Sequence, residues 1–353
     1  MLIIATTTAE ESAVIAAIVI ARLFVPLLIP RFPLAIIAAL IIDAVDNSIL
    51  AAFTSVDLGP DGPYQSFDKA LDIYYLAIAY TTTLRNWTNL GAVRVAQFLF
   101  YYRLVGVLLF ELTHERTLLL IFPNTFEYFF IAYEAIRLRF DPARRSTRFW
   151  IITAGVIWVF VKLPQEYWIH VAQLDFTETV DDHPWFGVVC VLGLLVLAAV
   201  FWFAVRPRLP APDWAWRFRA DPMPALDRAP APGRYELIEK AILLALVSVI
   251  FGEMLPTVQI SALEVAIGVA AIVVANTAIN RRRSSTLEFG VLLVLNLGFV
   301  YLGSLLISDA EDFPVGTGLF FAFLITLLTT LYDRYRRVFS LRASTTANTS
   351  PRS

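Results

Sequence analysis

The side chains that can do chemistry in this chain are acids and bases set inside apolar runs. Asp43, Asp46 and Asn47 follow one another at i, i+3 and i+4, the spacing that lines one face of a helix. Asp68 and Asp72 share a face in the same way. Arg103 sits in the middle of an apolar run and Glu111 near its end; Asn124 and Glu127 follow Pro123, with Glu134 further on. Lys162, Glu166 and His170 form a stripe at i, i+4 and i+8. A charge in hydrocarbon costs at least about 2.5–3.5 kcal/mol, so such residues are paired, neutralised or functional. The candidate ion- or substrate-binding set is therefore Asp43, Asp46, Asn47, Asp72, Arg103, Glu111, Glu127, Lys162 and Glu166.

The balance within the set points to a chemistry. Six acids (Asp43, Asp46, Asp72, Glu111, Glu127 and Glu166) face three bases (Arg22, Arg103 and Lys162). Like charges in a low dielectric cannot all ionise, so some of these carboxyls are expected to stay protonated near neutrality. That favours proton or cation handling over anion transport. Arg103 and Lys162, placed to hold a phosphate or other charged substrate group, keep a second chemistry open. Aromatics crowd the same runs, at Tyr74, Tyr75, Phe98, Tyr101, Tyr102, Phe126, Tyr128 and Tyr133. They read either as walls for an apolar or lipid-like ligand or as ordinary membrane packing. His114, His170 and His183 show no ligand spacing, and Cys190 is the single cysteine. No metal site, no cofactor and no disulfide framework are expected.

Elements that bury so much charge must themselves be strongly apolar, and the composition agrees. The 353 residues are 58% hydrophobic and 16% charged, with mean hydropathy +0.67; soluble chains lie near 45–50% and about 25%. A soluble enzyme, a nucleic-acid-binding protein and a disordered scaffold are excluded together. The net charge of −2 implies no polyanionic partner. The pattern predicts an all-α, polytopic integral membrane bundle. Eleven apolar runs come near the 20 residues a span needs: 12–30, 33–53, 67–85, 93–112, 117–137, 148–170, 185–205, 237–256, 261–280, 286–308 and 313–332. Pro30 and Pro33 flank Arg31 and Phe32 in a tight turn between the first two.

The loops between the runs alternate in charge. Of 25 arginines, 22 fall on one side, the exceptions being Arg22, Arg103 and Arg116. The positive-inside bias then places the N-terminus outside and the C-terminus in the cytoplasm. Arginine-rich, short-looped composition reads as a bacterial cytoplasmic membrane protein. Depth arithmetic adds one pairing: Arg22 lies nine residues before Arg31 and Asp43 twelve after it, about 14 and 18 Å from the same turn. An Arg22–Asp43 structural pair is predicted. Residues 206–234 carry seven prolines with Trp214, Trp216, Phe218 and several arginines. They predict a semi-extended cytoplasmic linker, either solvated or lying on anionic headgroups. It divides a seven-helix bundle (1–205), which holds the polar site, from a four-helix bundle (235–337), followed by a disordered tail (338–353).

These readings lead to a proton- or cation-coupled transporter with an outward-opening polar cavity in the first six spans. Its partners are the lipid bilayer and a small-molecule, ion or lipid substrate, with no nucleic acid. A membrane-embedded enzyme acting on a lipid-linked substrate from the outer leaflet is the alternative, and a structural subunit of a membrane assembly the third. Whether the chain is an enzyme stays open. A carrier needs polar residues continuing inward past Glu134 toward Thr81, Thr82 and Thr83; an enzyme can be sealed there; a subunit would turn its charges outward.

Overall fold

A computed structural model of the chain describes residues 8–55, 63–172, 174, 176–224, 233–253, 262–279, 289–298, 301 and 315–349. Among these residues every regular element is a helix. Helix α1 (Ala9–Phe24) opens on a capping box: Glu11 N–H donates to Thr8 Oγ1 (3.3 Å) and Thr8 N–H to Glu11 Oε2 (2.7 Å), satisfying two donors that the helix start leaves unpaired. A 3₁₀ turn (Val25–Leu28) with Pro26 ends it. The Pro30–Pro33 turn follows, and α2 (Ala35–Phe53) runs back beside α1. Ser55 N–H returns to Glu11 Oε1 (2.8 Å), closing the hairpin at its far end.

Helix α3 (Pro63–Asn86) is tied to that hairpin at two depths. Tyr74 OH donates to Leu23 O (2.9 Å), while Arg85 and Asn86 donate to Pro30 O at the turn. Helix α4 (Leu90–Thr113) is capped by Asn89, whose Oδ1 accepts from Ala92 N–H (2.9 Å); it ends at His114 in the left-handed conformation (φ 58°). Then come α5 (Thr117–Ile121) and α6 (Thr125–Arg137). Helix α7 (Thr147–Ile157) continues through a wide π turn (Trp158–Lys162), the short α8 (Leu163–Glu166) and a second π turn (Tyr167–Val171). The chain goes on with α9 (Phe176–Asp182), α10 (Pro184–Val200), α11 (Arg234–Glu253), α12 (Ala262–Ile279), α13 (Phe289–Gly298) and α14 (Val315–Thr349).

Five stretches are long and apolar enough to cross a membrane: Ala9–Leu28, Ala35–Phe53, Leu90–Thr113, Thr147–Ile169 and Pro184–Arg208. Their surface is what marks them. The stretch Pro184–Arg208 buries nothing within the chain, with Leu194 67%, Leu197 66% and Phe203 77% exposed. A helix apolar on every side needs an apolar medium. The core lies instead between α3, α4, α6, α7 and α11, around Tyr80, Trp87, Phe100, Phe126, Phe129, Phe130, Tyr133 and Trp150, each buried.

Three segments carry their own local structure. The run at 117–137 divides into two helices at Pro123, which cannot continue α5, and the backbone at Phe122 and Asn124 leaves the helical region. The tail expected to be disordered from 338 continues α14 to Thr349, and Arg342 reaches back to Trp87 O (3.3 Å). The proline-rich segment forms no regular element from Leu209 to Pro224, and this part is pinned to the protein. Asp213 N–H donates to Arg139 O (3.0 Å), Arg217 N–H to Leu138 O (3.1 Å) and Ala220 N–H to Arg31 O (2.9 Å). The runs at 237–256, 261–280, 286–308 and 313–332 fall partly outside the described residues.

Candidate functional site

The site begins at the α1–α2–α3 contact. Arg22, 4% exposed, faces three aspartates at once: Asp43 and Asp46 of α2 (Asp46 Oδ2 at 2.5 Å) and Asp72 of α3 (2.7 Å). The Arg22–Asp43 contact is present, as part of a quartet in which one guanidinium meets three carboxylates. Asp46 is fully buried, whereas the Asp43 and Asp72 side chains keep 23% and 29% of their exposure. Those two mark where the cluster meets the outside of the fold. Asn47 is exposed and turns away. The buried line of α2 runs Ile36, Ala39, Asp46, Leu50, and Asn47 stands one residue, about 100°, beyond Asp46.

A second group sits where two helices lose their regular geometry. At the α5–α6 break the freed carbonyls of Ile121 and Phe122 accept from Tyr102 OH (2.9 Å) and Arg103 Nη1 (3.0 Å). Arg103 therefore holds the break, a role its position in the sequence does not reveal. The neighbouring turn of α4 is Gly106, where a Cβ would fall inside the Phe122 side chain; the broken segment can lie this close only against a bare backbone. Asn124 then ties the start of α6 inward. Its Nδ2 donates to Glu127 Oε2 (2.7 Å) and its backbone N–H to Glu166 Oε1 (3.2 Å). Two carboxylates thus face the positive end of α6.

Lys162 and Glu166 flank Pro164 between the two π turns, a distortion that recurs at functional sites. Both are 4% exposed. Lys162 Nζ donates to Gln165 Oε1 (3.0 Å), lies 3.4 Å from Glu166 Oε1 and stands 4.7 Å from the centre of the Tyr128 ring. Glu127, 2% exposed, is within electrostatic reach of Lys162, Asp43 and Arg103 and beside the Tyr75 hydroxyl, which also feels Asp72 and Asp43. Glu127 Oε1, Asn124 Oδ1 and Thr125 Oγ1 are buried with no hydrogen-bond partner of full geometry among the described residues. Tyr75 thus joins the quartet to the Lys162 group, making one polar centre across α1, α2, α3, α6 and α8.

Glu111 is buried on α4, eight residues and about 12 Å beyond Arg103. Four residues of the centre were not among the candidates. Tyr75 is three residues from Asp72, Asn124 three from Glu127, and Gln165 three from Lys162; helical neighbours of a candidate acid or base were the available signal. Tyr128 carries no such signal. Of the three histidines, His170 has no described side chain, and no group of metal-ligating residues occurs among the described ones.

Toward the Arg31 turn and the end of α6 the centre is bounded by buried aromatic rings. Trp87 stacks on Tyr133 (3.8 Å between centroids), and Tyr133 meets Trp150 at a tilt (4.9 Å); Tyr80 stacks on Phe100 (4.5 Å), which meets Phe126 edge-on (5.4 Å). Glu134 lies in this layer, held by Trp87 Nε1 (2.8 Å) and Arg137 Nε (2.5 Å). Thr81, Thr82 and Thr83 are fully buried, and their hydroxyls donate to carbonyls of their own helix. Beyond them a further polar knot joins α3 and α4 to α11 and α14. Tyr80 OH donates to Glu239, Arg336 contacts Glu236 (3.4 Å) and Glu239 (3.3 Å), and Lys240 pairs with Asp333 (2.7 Å).

In comparisons of sequence and of fold, the chain matches no known protein family, no curated protein and no solved structure.

Proposed function

We propose that the chain is a multi-pass protein of a bacterial cytoplasmic membrane, N-terminus outside and C-terminus inside, that carries a proton or cation coupled to a substrate. The observation that carries this reading is the acid surplus of the buried centre. Asp43, Asp46, Asp72, Glu127 and Glu166 gather around Arg22 and Lys162, while Arg103 is engaged by the Phe122 carbonyl. In a low dielectric that surplus is met by bound protons or a cation. Release of one of them through the partly exposed Asp43 and Asp72 is the step a coupled carrier needs. The broken α5–α6 segment and the π turns around Pro164 supply backbone that can rearrange at the same depth. The charges face inward to one another, which argues against a subunit that offers them to a partner.

The aromatic layer favours one rival. A centre closed on its inner side by Trp87, Tyr133 and Trp150 also suits a membrane enzyme that takes a lipid-linked substrate from the outer leaflet. Reconstitution separates the two. Liposomes containing the purified chain and a trapped pH-sensitive dye are expected to change internal pH when a proton, Na⁺ or K⁺ gradient is imposed, and Glu127→Gln is expected to remove the response. Wild-type vesicles that respond to none of the three gradients would end the carrier reading.

Orientation has its own test. In a Cys190→Ser background, a cysteine at Asp181, on the exposed end of α9, is expected to react with an impermeant maleimide in intact cells. One at Ser146, the N-cap of α7, is expected to react only after permeabilisation. The opposite pattern reverses the topology. Asp61, the other outer-loop position favoured by the charge alternation, lies outside the described residues.

A further inference from the structure

The geometry points to the segment 209–224 as a strap that docks anionic phospholipid headgroups against the inner ends of α1, α2 and α6. Its level follows from its anchors. The strap hangs from the carbonyls of Arg31, in the turn between two membrane-crossing helices, and of Arg137, Leu138 and Arg139, at the end of α6 (Trp214 Nε1 to Arg137 O, 2.9 Å). It starts where the apolar stretch ending at Arg208 stops. Every anchor therefore lies in the plane where hydrocarbon gives way to headgroups.

What the strap presents suits that plane. Trp216 and Phe218 stack in parallel (5.9 Å between centroids) yet remain 57% and 55% exposed. Aromatic rings of this kind are enriched at the membrane–water boundary. Around them the charge is cationic. The Arg139 guanidinium covers the Trp216 ring (4.7 Å), and its buried Nε has no hydrogen-bond partner among the described residues. Arg31, Arg217 and Arg219 are exposed. Of the strap's two acids, Asp213 is already held by Arg144 (2.5 Å) and by Asp141 N–H (2.8 Å), and Asp221 meets Arg217 only at 4.0 Å. Planar guanidinium groups beside exposed rings at headgroup level match a phosphodiester whose acyl chains lie against the rings. An acidic protein segment would satisfy the arginines but gives no reason for Trp216 and Phe218 to sit at the level of the hydrocarbon edge.

The test uses the full chain in phosphatidylcholine micelles, titrated with either dibrominated phosphatidylglycerol or dibrominated phosphatidylcholine at equal mole fraction. Tryptophan quenching is expected to be stronger with the glycerol lipid, and Trp216→Phe to remove the excess. Arg217→Gln with Arg219→Gln removes two exposed guanidiniums that lie over the Trp214 and Phe32 rings (4.0 and 5.4 Å) but leaves the strap's backbone anchors in place; it is expected to weaken the apparent affinity for the glycerol lipid about twenty-fivefold, roughly fivefold per arginine. Equal quenching by the two lipids overturns the assignment, as does an excess that survives Trp216→Phe. Unchanged affinity in the double variant, or displacement of the signal by soluble polyglutamate, overturns it as well.

Discussion

Purified, folded Lys162→Met protein is expected to lose the gradient response of the wild type by at least about a hundredfold, while Glu166→Gln keeps a measurable part of it. An exposed i, i+4 ion pair contributes only a few tenths of a kcal/mol, and its loss passes unnoticed. This pair is nowhere near exposed. Each partner is 4% accessible, and between them they hold Gln165, the Tyr128 ring and the Asn124 N–H that starts α6. Methionine keeps the bulk of the lysine stem but takes the Lys162 cation away from the Glu166 carboxylate and from the reach of Glu127. An uncompensated charge at this depth costs several kcal/mol unless it takes up a proton. Either outcome alters the protonation on which the proposed cycle depends.

Glutamine at 166 is gentler for a stated reason. Its Oε1 can still accept from Asn124 N–H, and Lys162 retains Gln165, the Tyr128 ring and the nearby Glu127. Its thermal midpoint is expected to fall by less than that of Lys162→Met, measured in the same detergent. Wild-type flux through folded Lys162→Met protein would remove α8 from the site and leave the π turns as packing features alone.

How much of this arrangement was readable beforehand depends on whether distance along a helix or rotation around it was needed. Rise is fixed at 1.5 Å per residue, so counting from the Pro30–Pro33 turn set Arg22 and Asp43 at one depth without any knowledge of neighbours, and the two side chains meet. Azimuth is decided by tertiary packing. The i, i+3, i+4 pattern treated Asn47 as equivalent to Asp46, yet α2 rolls to bury Asp46 and expose Asn47. Asp72 reaches Arg22 only because Tyr74 draws α3 against α1. Pro123 signalled an interruption, but that Arg103 and Tyr102 would satisfy the freed carbonyls depended on α4 passing at Gly106. Contacts made through carbonyl oxygens, such as those that pin the strap, have no side-chain signature at all. The Glu239 knot was invisible for a related reason. Glu236 stands just before the run at 237–256 and Glu239 near its start, and neither has a partner in its own stretch until α3, α4 and α14 close around them.

The Arg22 quartet yields the other large effect, and burial decides its pattern. Arg22→Met leaves three carboxylates facing one another without their cation, and a loss of about 3–5 kcal/mol is expected, the range for breaking a buried ion pair from one side. A second substitution can recover part of it, but the three aspartates are not equivalent. Asp43 and Asp72 keep roughly a quarter of their side-chain exposure and can be hydrated in place, whereas Asp46 has none. Asp46→Asn added to Arg22→Met is therefore expected to restore more of the thermal midpoint than Asp43→Asn added to the same parent. Each double should also depart from the sum of its singles, since the residues touch. Equal rescue by the two would show that depth within the quartet carries no energetic weight. Simple additivity in both would show that Arg22 acts as a packing element, and the acid surplus on which proton or cation binding rests would lose its central cation.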